Sequence, residues 1–169
     1  MRLSAMTLLA IALVCLAACR TEDKPALERG SLTLAPPPPP IYLGSCDVID
    51  DLESWLQTVQ FQQRDFIELM TAAPERDAAG LYDDVERMAS LRDRIVAEPA
   101  PDCAVEAHNA LIAAMGGILD DFVRVVNGDD VDLQRVIDDG AAAVDAAVAL
   151  QSPLLERLDN LFRNPTPAP

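Results

Sequence analysis

The sequence is short of several residue types on which common binding activities depend. It has one lysine, Lys24, and one histidine, His108, and aromatic residues make up 4% of the chain. Nucleic acids and anionic lipid head groups are bound mainly through lysine and arginine side chains. With 13 basic against 28 acidic residues and a net charge of −15, the surface would repel both. Nucleic-acid binding is therefore excluded, and the acidic surface is most simply explained by solubility.

The residue patterns of common catalytic and cofactor sites are also missing. The chain contains no phosphate-binding glycine loop, no Gly-x-Ser-x-Gly and no Cys-x-x-Cys pair. It also lacks the Glu-x-x-His pairs of di-metal bundles. A single histidine cannot complete the usual ligand set of a zinc site. These observations indicate a protein that is not an enzyme and that holds no cofactor.

The N-terminal residues have the organisation of a secretory signal. Met1 and Arg2 give a positive start, residues 8–18 are nearly all apolar, and a cysteine follows two small residues. The sequence Leu16-Ala17-Ala18-Cys19 resembles the lipobox of bacterial lipoproteins, and the resemblance covers only the first 19 residues. It implies cleavage before Cys19, a diacylglycerol on its sulfur and an acyl chain such as palmitate on its amino group.

This resemblance places the protein in the cell envelope, anchored to a membrane on its extracytoplasmic side through Cys19. The alternatives are an ordinary secreted protein and an uncleaved anchor helix. The apolar stretch is short for a membrane span, which needs about 20 residues. We therefore expect residues 1–18 to be a removed signal peptide.

The remaining cysteines predict one disulfide. Cys15 lies within the signal peptide and Cys19 would carry the lipid, which leaves Cys46 and Cys103. In an oxidising compartment two such thiols are expected to pair.

Residues 19–44 are predicted to form a disordered, proline-rich tether. They show no apolar periodicity, and they include five consecutive prolines, residues 36–40. Such a run favours an extended polyproline II conformation, which acts as a semi-rigid spacer. We expect it to hold the following domain off the membrane, with recognition by a proline-binding module as the alternative.

Four amphipathic helices are predicted in the next part of the chain, because apolar residues recur three and four positions apart. We expect them at about residues 47–73, 75–98, 102–126 and 131–163, with a kink or a restart of the last helix at Pro153. Short connections between helices favour an all-α, antiparallel up-down-up-down four-helix bundle over residues 45–163. Residues 164–169 are predicted to be a disordered tail.

The disulfide agrees with this topology. Cys46 and Cys103 precede the first and third predicted helices, which begin at the same end of such a bundle. We expect that end to be nearest the tether, so that the opposite end, with the loops near Pro74 and Asn127, is the more exposed to partners.

His108 is the main candidate for a ligand-binding residue, because it falls on the apolar stripe of the third helix about one turn from the level of Trp55. It is expected either to be a buried, hydrogen-bonded histidine or to bind a metal or haem together with Met115 or Met88.

Phe61 lies off the apolar stripe of the first helix. It is a candidate contact with a protein partner, although single exposed aromatic residues are also common without one.

Two glycines in the last hairpin require an explanation, because glycine inside a helix is unfavourable. Reflection about Gly128 brings Gly116 level with Gly140, which predicts close approach of two helices there or space for a ligand.

Taken together, the sequence favours a lipid-anchored helical bundle with a non-enzymatic binding or scaffolding role. The alternative is a bundle that binds a small ligand, metal or haem near His108 and Trp55.

Overall fold

The computed structural model describes residues 30–164. The proposed signal peptide, Cys19 and the lipobox, and almost all of the predicted tail, therefore lie outside the described residues. Within residues 30–164 the regular structure is helical, with no strand and a single isolated bridge between Tyr42 and Ala100. The all-α prediction is confirmed, with helices α1 (Ile49–Ala72), α2 (Ala78–Ala97), α3 (Val105–Val126), α4 (Leu133–Ala149) and α5 (Ser152–Arg163).

The helix ends follow from local residues. A short 3-10 turn that contains Pro74 ends α1. The Asp77 side chain then caps α2 by accepting a hydrogen bond from the backbone N–H of Gly80 at 2.7 Å. After α3 the chain turns at Gly128, whose φ of 86° is readily adopted only by glycine. These stops keep the connections short.

The predicted fourth helix consists of α4 and α5. At the break, Leu150 and Gln151 donate their backbone N–H groups to carbonyl oxygens only three residues back. Pro153, which has no N–H, then lies in the first turn of α5, where none is needed. The expected kink or restart is therefore a restart.

Successive helices pack against one another, α1 with α2, α2 with α3, and α3 with α4, and α1 also contacts α5 and α4. This order is consistent with an up-down-up-down four-helix bundle in which α4 and α5 share the fourth position. The helices meet along their apolar stripes. The largest fully buried side chains are Trp55, Phe66, Phe122, Leu52, Met70, Met88, Ile95, Leu111, Met115, Leu119, His108 and Gln151.

A disulfide joins Cys46 to Cys103, as predicted, with the two Cα atoms 5.9 Å apart. The carboxylate of Asp102 accepts hydrogen bonds from the backbone N–H groups of both cysteines, at 3.2 and 2.8 Å. Arg157 on α5 donates to the carbonyl oxygen of Cys46 at 2.9 Å. The bridge therefore ties the starts of α1 and α3 together, and α5 is held against them. We call this the disulfide end of the bundle.

Residues 31–44, expected to belong to a disordered tether, instead lie along α2 and α3; we call them the strap. The Asn127 side chain accepts from the backbone N–H of Leu32 at 2.8 Å and donates to its carbonyl oxygen at 3.0 Å. Arg92 on α2 donates to the carbonyl oxygen of Ala35 at 3.5 Å. The side chain of Leu32 is buried, and Leu34 packs against the core. Removal of these two apolar side chains from water stabilises the strap on the bundle.

The strap runs from one end of the bundle to the other. Its last residues pair with the disulfide end, where Leu43 donates to the carbonyl oxygen of Ala100 at 3.0 Å. An extended chain from Leu32 to Leu43 spans about 34 Å at 3.1 Å per residue. The 22 residues of α3 span about 33 Å. The first residues of the strap therefore lie at the Asn127 end, whereas the sequence suggested that the tether lies nearest the disulfide end.

The two matched glycines differ. A Cβ atom on Gly140 would lie 3.0 Å from Cγ1 of Ile118 on α3 and 3.1 Å from the sulfur of Met70 on α1. The close approach predicted at this position is confirmed, since no larger residue fits without a shift. A Cβ atom on Gly116 would meet nothing within 4 Å. Packing therefore does not explain Gly116.

Candidate functional site

His108 and Trp55 form a polar pair inside the bundle. His108 lies on the first half of α3, Trp55 lies on the first half of α1, and neither side chain is exposed to solvent. The indole Nε1–H of Trp55 donates to Nδ1 of His108 at 3.2 Å. The sequence placed these residues about one turn apart, and the helix starts tied by the disulfide bring them into direct contact.

This hydrogen bond fixes the protonation state of His108. An indole N–H can only donate, so Nδ1 must accept, and the proton of a neutral imidazole then lies on Nε2. Burial lowers the pKa of His108 below its ordinary value, which also favours the neutral form. Nε2 is buried and has no hydrogen-bond partner among residues 30–164. The pair therefore leaves one buried donor unused.

Tyr42 of the strap lies close to this pair. Its ring stands nearly edge-on to the imidazole of His108, with centroids 6.3 Å apart and planes at 76°. Its hydroxyl donates to Oδ1 of Asn109 at 2.8 Å. Sequence reasoning missed Tyr42 because it belongs to a segment without periodicity. Its short apolar run, residues 41–43, is the one signal that could have drawn attention to it.

The candidate metal ligands do not form a recognisable site. Met88 and Met115 are fully buried core residues, and Nδ1 of His108 is already occupied by Trp55. In the described part of the chain, one group of three potential ligand side chains has its ligand atoms mutually close, and it comprises the disulfide cysteines and Asp102. Sulfurs bonded to each other are not thiolate ligands, so this group offers no metal site while the disulfide is intact.

Phe61 is half exposed, as the sequence predicted. The guanidinium carbon of Arg64 lies 4.7 Å from the centroid of its ring, a cation–π arrangement. One turn further along α1 begins a surface groove between α1 and α2, with a volume of about 450 Å³. The groove has carboxylates on its α1 wall and guanidinium groups on its α2 wall. It is lined by Asp65, Glu68, Leu69, Ala72, Arg76, Arg87, Ser90, Leu91 and Arg94.

Exposed apolar residues concentrate at the disulfide end. Of the seven large hydrophobic residues that are exposed in the described part of the chain, four lie within eight consecutive positions, Ile41, Tyr42, Leu43 and Val48. Leu43 is the most exposed of the seven, at 70%. The sequence placed these residues at the junction of tether and first helix and gave them no role.

Comparison of this chain with family models, with curated proteins and with solved structures finds no match. Among residues 30–164, none of the helices combines the length and the apolar character that crossing a membrane requires.

Proposed function

We propose that this protein is a lipid-anchored component of the cell envelope that acts by binding or scaffolding and is not an enzyme. The N-terminal motif ending in Cys19 supports the anchor. The observation that carries the binding role is the filled interior, in which the side chains of Trp55, His108, Met88 and Met115 are fully buried and Trp55 occupies Nδ1 of His108. Binding is therefore assigned to the surface of the bundle.

The strap gives the proposed anchor a point of attachment. The chain between Cys19 and Ser31 can span at most about 40 Å when fully extended. Because Leu32 is held by Asn127, a lipid on Cys19 would be joined to the Asn127 end. In the proposed arrangement the disulfide end is the end farther from the attachment.

The anchor is tested by Cys19→Ser in the full-length chain expressed in a bacterium that processes lipoproteins. We expect the unaltered protein to incorporate a labelled palmitate analogue and to sediment with membranes, and the variant to lose both properties. Cys15→Ser is the matched control, since it removes the neighbouring cysteine of the signal segment and leaves the motif intact. Equal labelling and sedimentation of Cys19→Ser and the unaltered protein would reject the anchor.

A second candidate function is the binding of a small ligand, metal or haem at His108. The unpartnered Nε2–H is a buried donor that favours a small ligand with an acceptor atom, whereas a metal or haem iron would require the proton to move to Nδ1 and the Trp55 hydrogen bond to break. Metal analysis and visible absorption of the purified protein test this reading. Bound metal or haem that disappears in His108→Gln would support it. Absence of both from the unaltered protein, after growth with added metals and haem, would remove it.

A further inference from the structure

We propose that the exposed apolar residues Ile41, Tyr42, Leu43 and Val48, which we call the 41–48 surface, form a docking site for a basic amphipathic segment of a partner protein. This inference rests on the proposed binding role and specifies where the partner binds and what chemistry it carries. Apolar side chains concentrated in one surface region of a soluble domain commonly mark an interaction site.

The 41–48 surface is held rigidly. Two backbone hydrogen bonds pair the strap with Ala100, from Leu43 N–H at 3.0 Å and to the Ile41 carbonyl oxygen at 2.9 Å. The Tyr42 hydroxyl is bonded to Asn109, and the disulfide fixes Cys46 within the same stretch. A surface ordered before binding loses little conformational entropy when a partner docks.

Acidic groups lie at the same end of the bundle as these apolar residues. Asp47, Asp50, Asp102 and Glu106 are exposed at the same end of the bundle. Neither residues 41–53 nor residues 98–110 contain a lysine or an arginine. Arg157 on α5 also reaches this end, and it is paired with Asp47 at 2.6 Å.

This charge distribution selects the partner. A lysine- or arginine-rich segment with large apolar side chains would pair with these carboxylates and cover the exposed apolar residues. An anionic membrane surface would be repelled by the same carboxylates, although it could accept the apolar residues. The surface is therefore assigned to a protein partner, and it lies at the end of the bundle opposite to the place where the preceding chain is attached.

The test uses the full chain as it is purified from the bacterium, whether or not Cys19 carries a lipid, and two labelled helical peptides of equal length. One peptide combines leucine with lysine and the other combines leucine with glutamate. Fluorescence anisotropy is expected to show binding of the lysine peptide only. Leu43→Ser and Val48→Ser should each weaken it about tenfold or more, as expected for central interface residues. Leu155→Ser is the matched control, because Leu155 is also exposed but lies on α5, and it should change binding less than about twofold.

Circular dichroism and thermal melting establish that each variant is folded. Equal weakening by Leu155→Ser and Leu43→Ser would overturn the proposal, as would binding of the glutamate peptide with similar affinity. Stronger binding to phosphatidylglycerol vesicles than to the lysine peptide would assign the surface to a membrane. Self-association that Leu43→Ser abolishes would assign it to a second copy of the chain. Failure of the anchor appears separately, in the Cys19→Ser experiment, and leaves this result unaffected.

Discussion

The two ends of the bundle are built differently. At the disulfide end a covalent bridge, backbone hydrogen bonds to Ala100 and the Arg157 side chain act together. At the other end the strap is held by one side chain, Asn127, and by the buried Leu32. The disulfide end can therefore expose apolar residues on a firm support, whereas the Asn127 end depends on few contacts and is the easier of the two to open.

The largest expected effect comes from removing the bridge. Cys46→Ser combined with Cys103→Ser should reduce the free energy of unfolding by about 4 kcal/mol, because the unfolded chain loses a crosslink that closes a long loop. Urea unfolding of the variant and of the oxidised protein measures the difference. Addition of a thiol reducing agent should lower the free energy of unfolding of the unaltered protein and leave that of the double variant unchanged. Equal stability with and without the bridge would show that the disulfide end does not depend on it.

The middle of the bundle provides a test independent of both ends. Gly140→Leu should destabilise by about 1–3 kcal/mol, because its side chain would collide with Ile118 and Met70. Gly116→Ala should stabilise by about 0.5–1 kcal/mol, since its Cβ meets open space and alanine favours the helix. Thermal melting of both variants checks the pair. Similar shifts of the melting temperature in the same direction would contradict the difference in packing between Gly140 and Gly116.

The contrast in how the strap is fastened can be measured directly. Asn127→Ala removes two hydrogen bonds to Leu32 and should cost about 1–2 kcal/mol. Proteolysis should then cut the strap near Leu32 and Leu34 faster than in the unaltered protein. Asn109→Ala is the control at the opposite end, where the backbone bonds to Ala100 remain. Equal cutting of the two variants would show that the ends of the strap are fastened equally.

The smallest expected effect is a change in the pH dependence of stability. Burial lowers the pKa of His108, so the unfolded chain takes up a proton near pH 6.5 that the folded chain does not. The contribution of His108 to the free energy of unfolding is therefore fully present above pH 6.5, and it declines as the pH falls below that value. His108→Gln keeps an acceptor for Trp55 and cannot titrate. Unfolding curves measured from pH 7.5 to 5 should show that the unaltered protein loses free energy of unfolding more steeply than His108→Gln. Equal losses in the two proteins would contradict this assignment.

The helices and the disulfide were predictable from the sequence because both leave local signals. Apolar spacing identified the stripes, Pro153 marked the interruption of the last helix, and loops were expected near Pro74 and Asn127. The predicted start of the fourth helix at about residue 131 would make Asp129 or Asp130 its cap, whereas the structure caps α4 with Asp132. Neighbouring aspartates cannot be ranked as caps without knowing where the preceding turn ends.

The strap could not be predicted, because its position depends on contacts between distant parts of the chain. Leu32 is buried in the hydrophobic core, and its backbone is recognised by Asn127, which the sequence placed only in a loop. The Trp55–His108 contact was nearer to prediction, since both residues lie on core stripes at similar heights. Its hydrogen bond and the unused Nε2 depend on side-chain orientation, which spacing alone does not give.

The way the strap is fastened also determines how the protein responds to a pull on the chain before Ser31. Such a load acts first on the two hydrogen bonds between Leu32 and Asn127 and, once these break, on the contacts farther along the strap. Each released residue adds about 3 Å of reach. Beyond the last contact the load reaches the Cys46–Cys103 bridge, which divides it between the starts of α1 and α3.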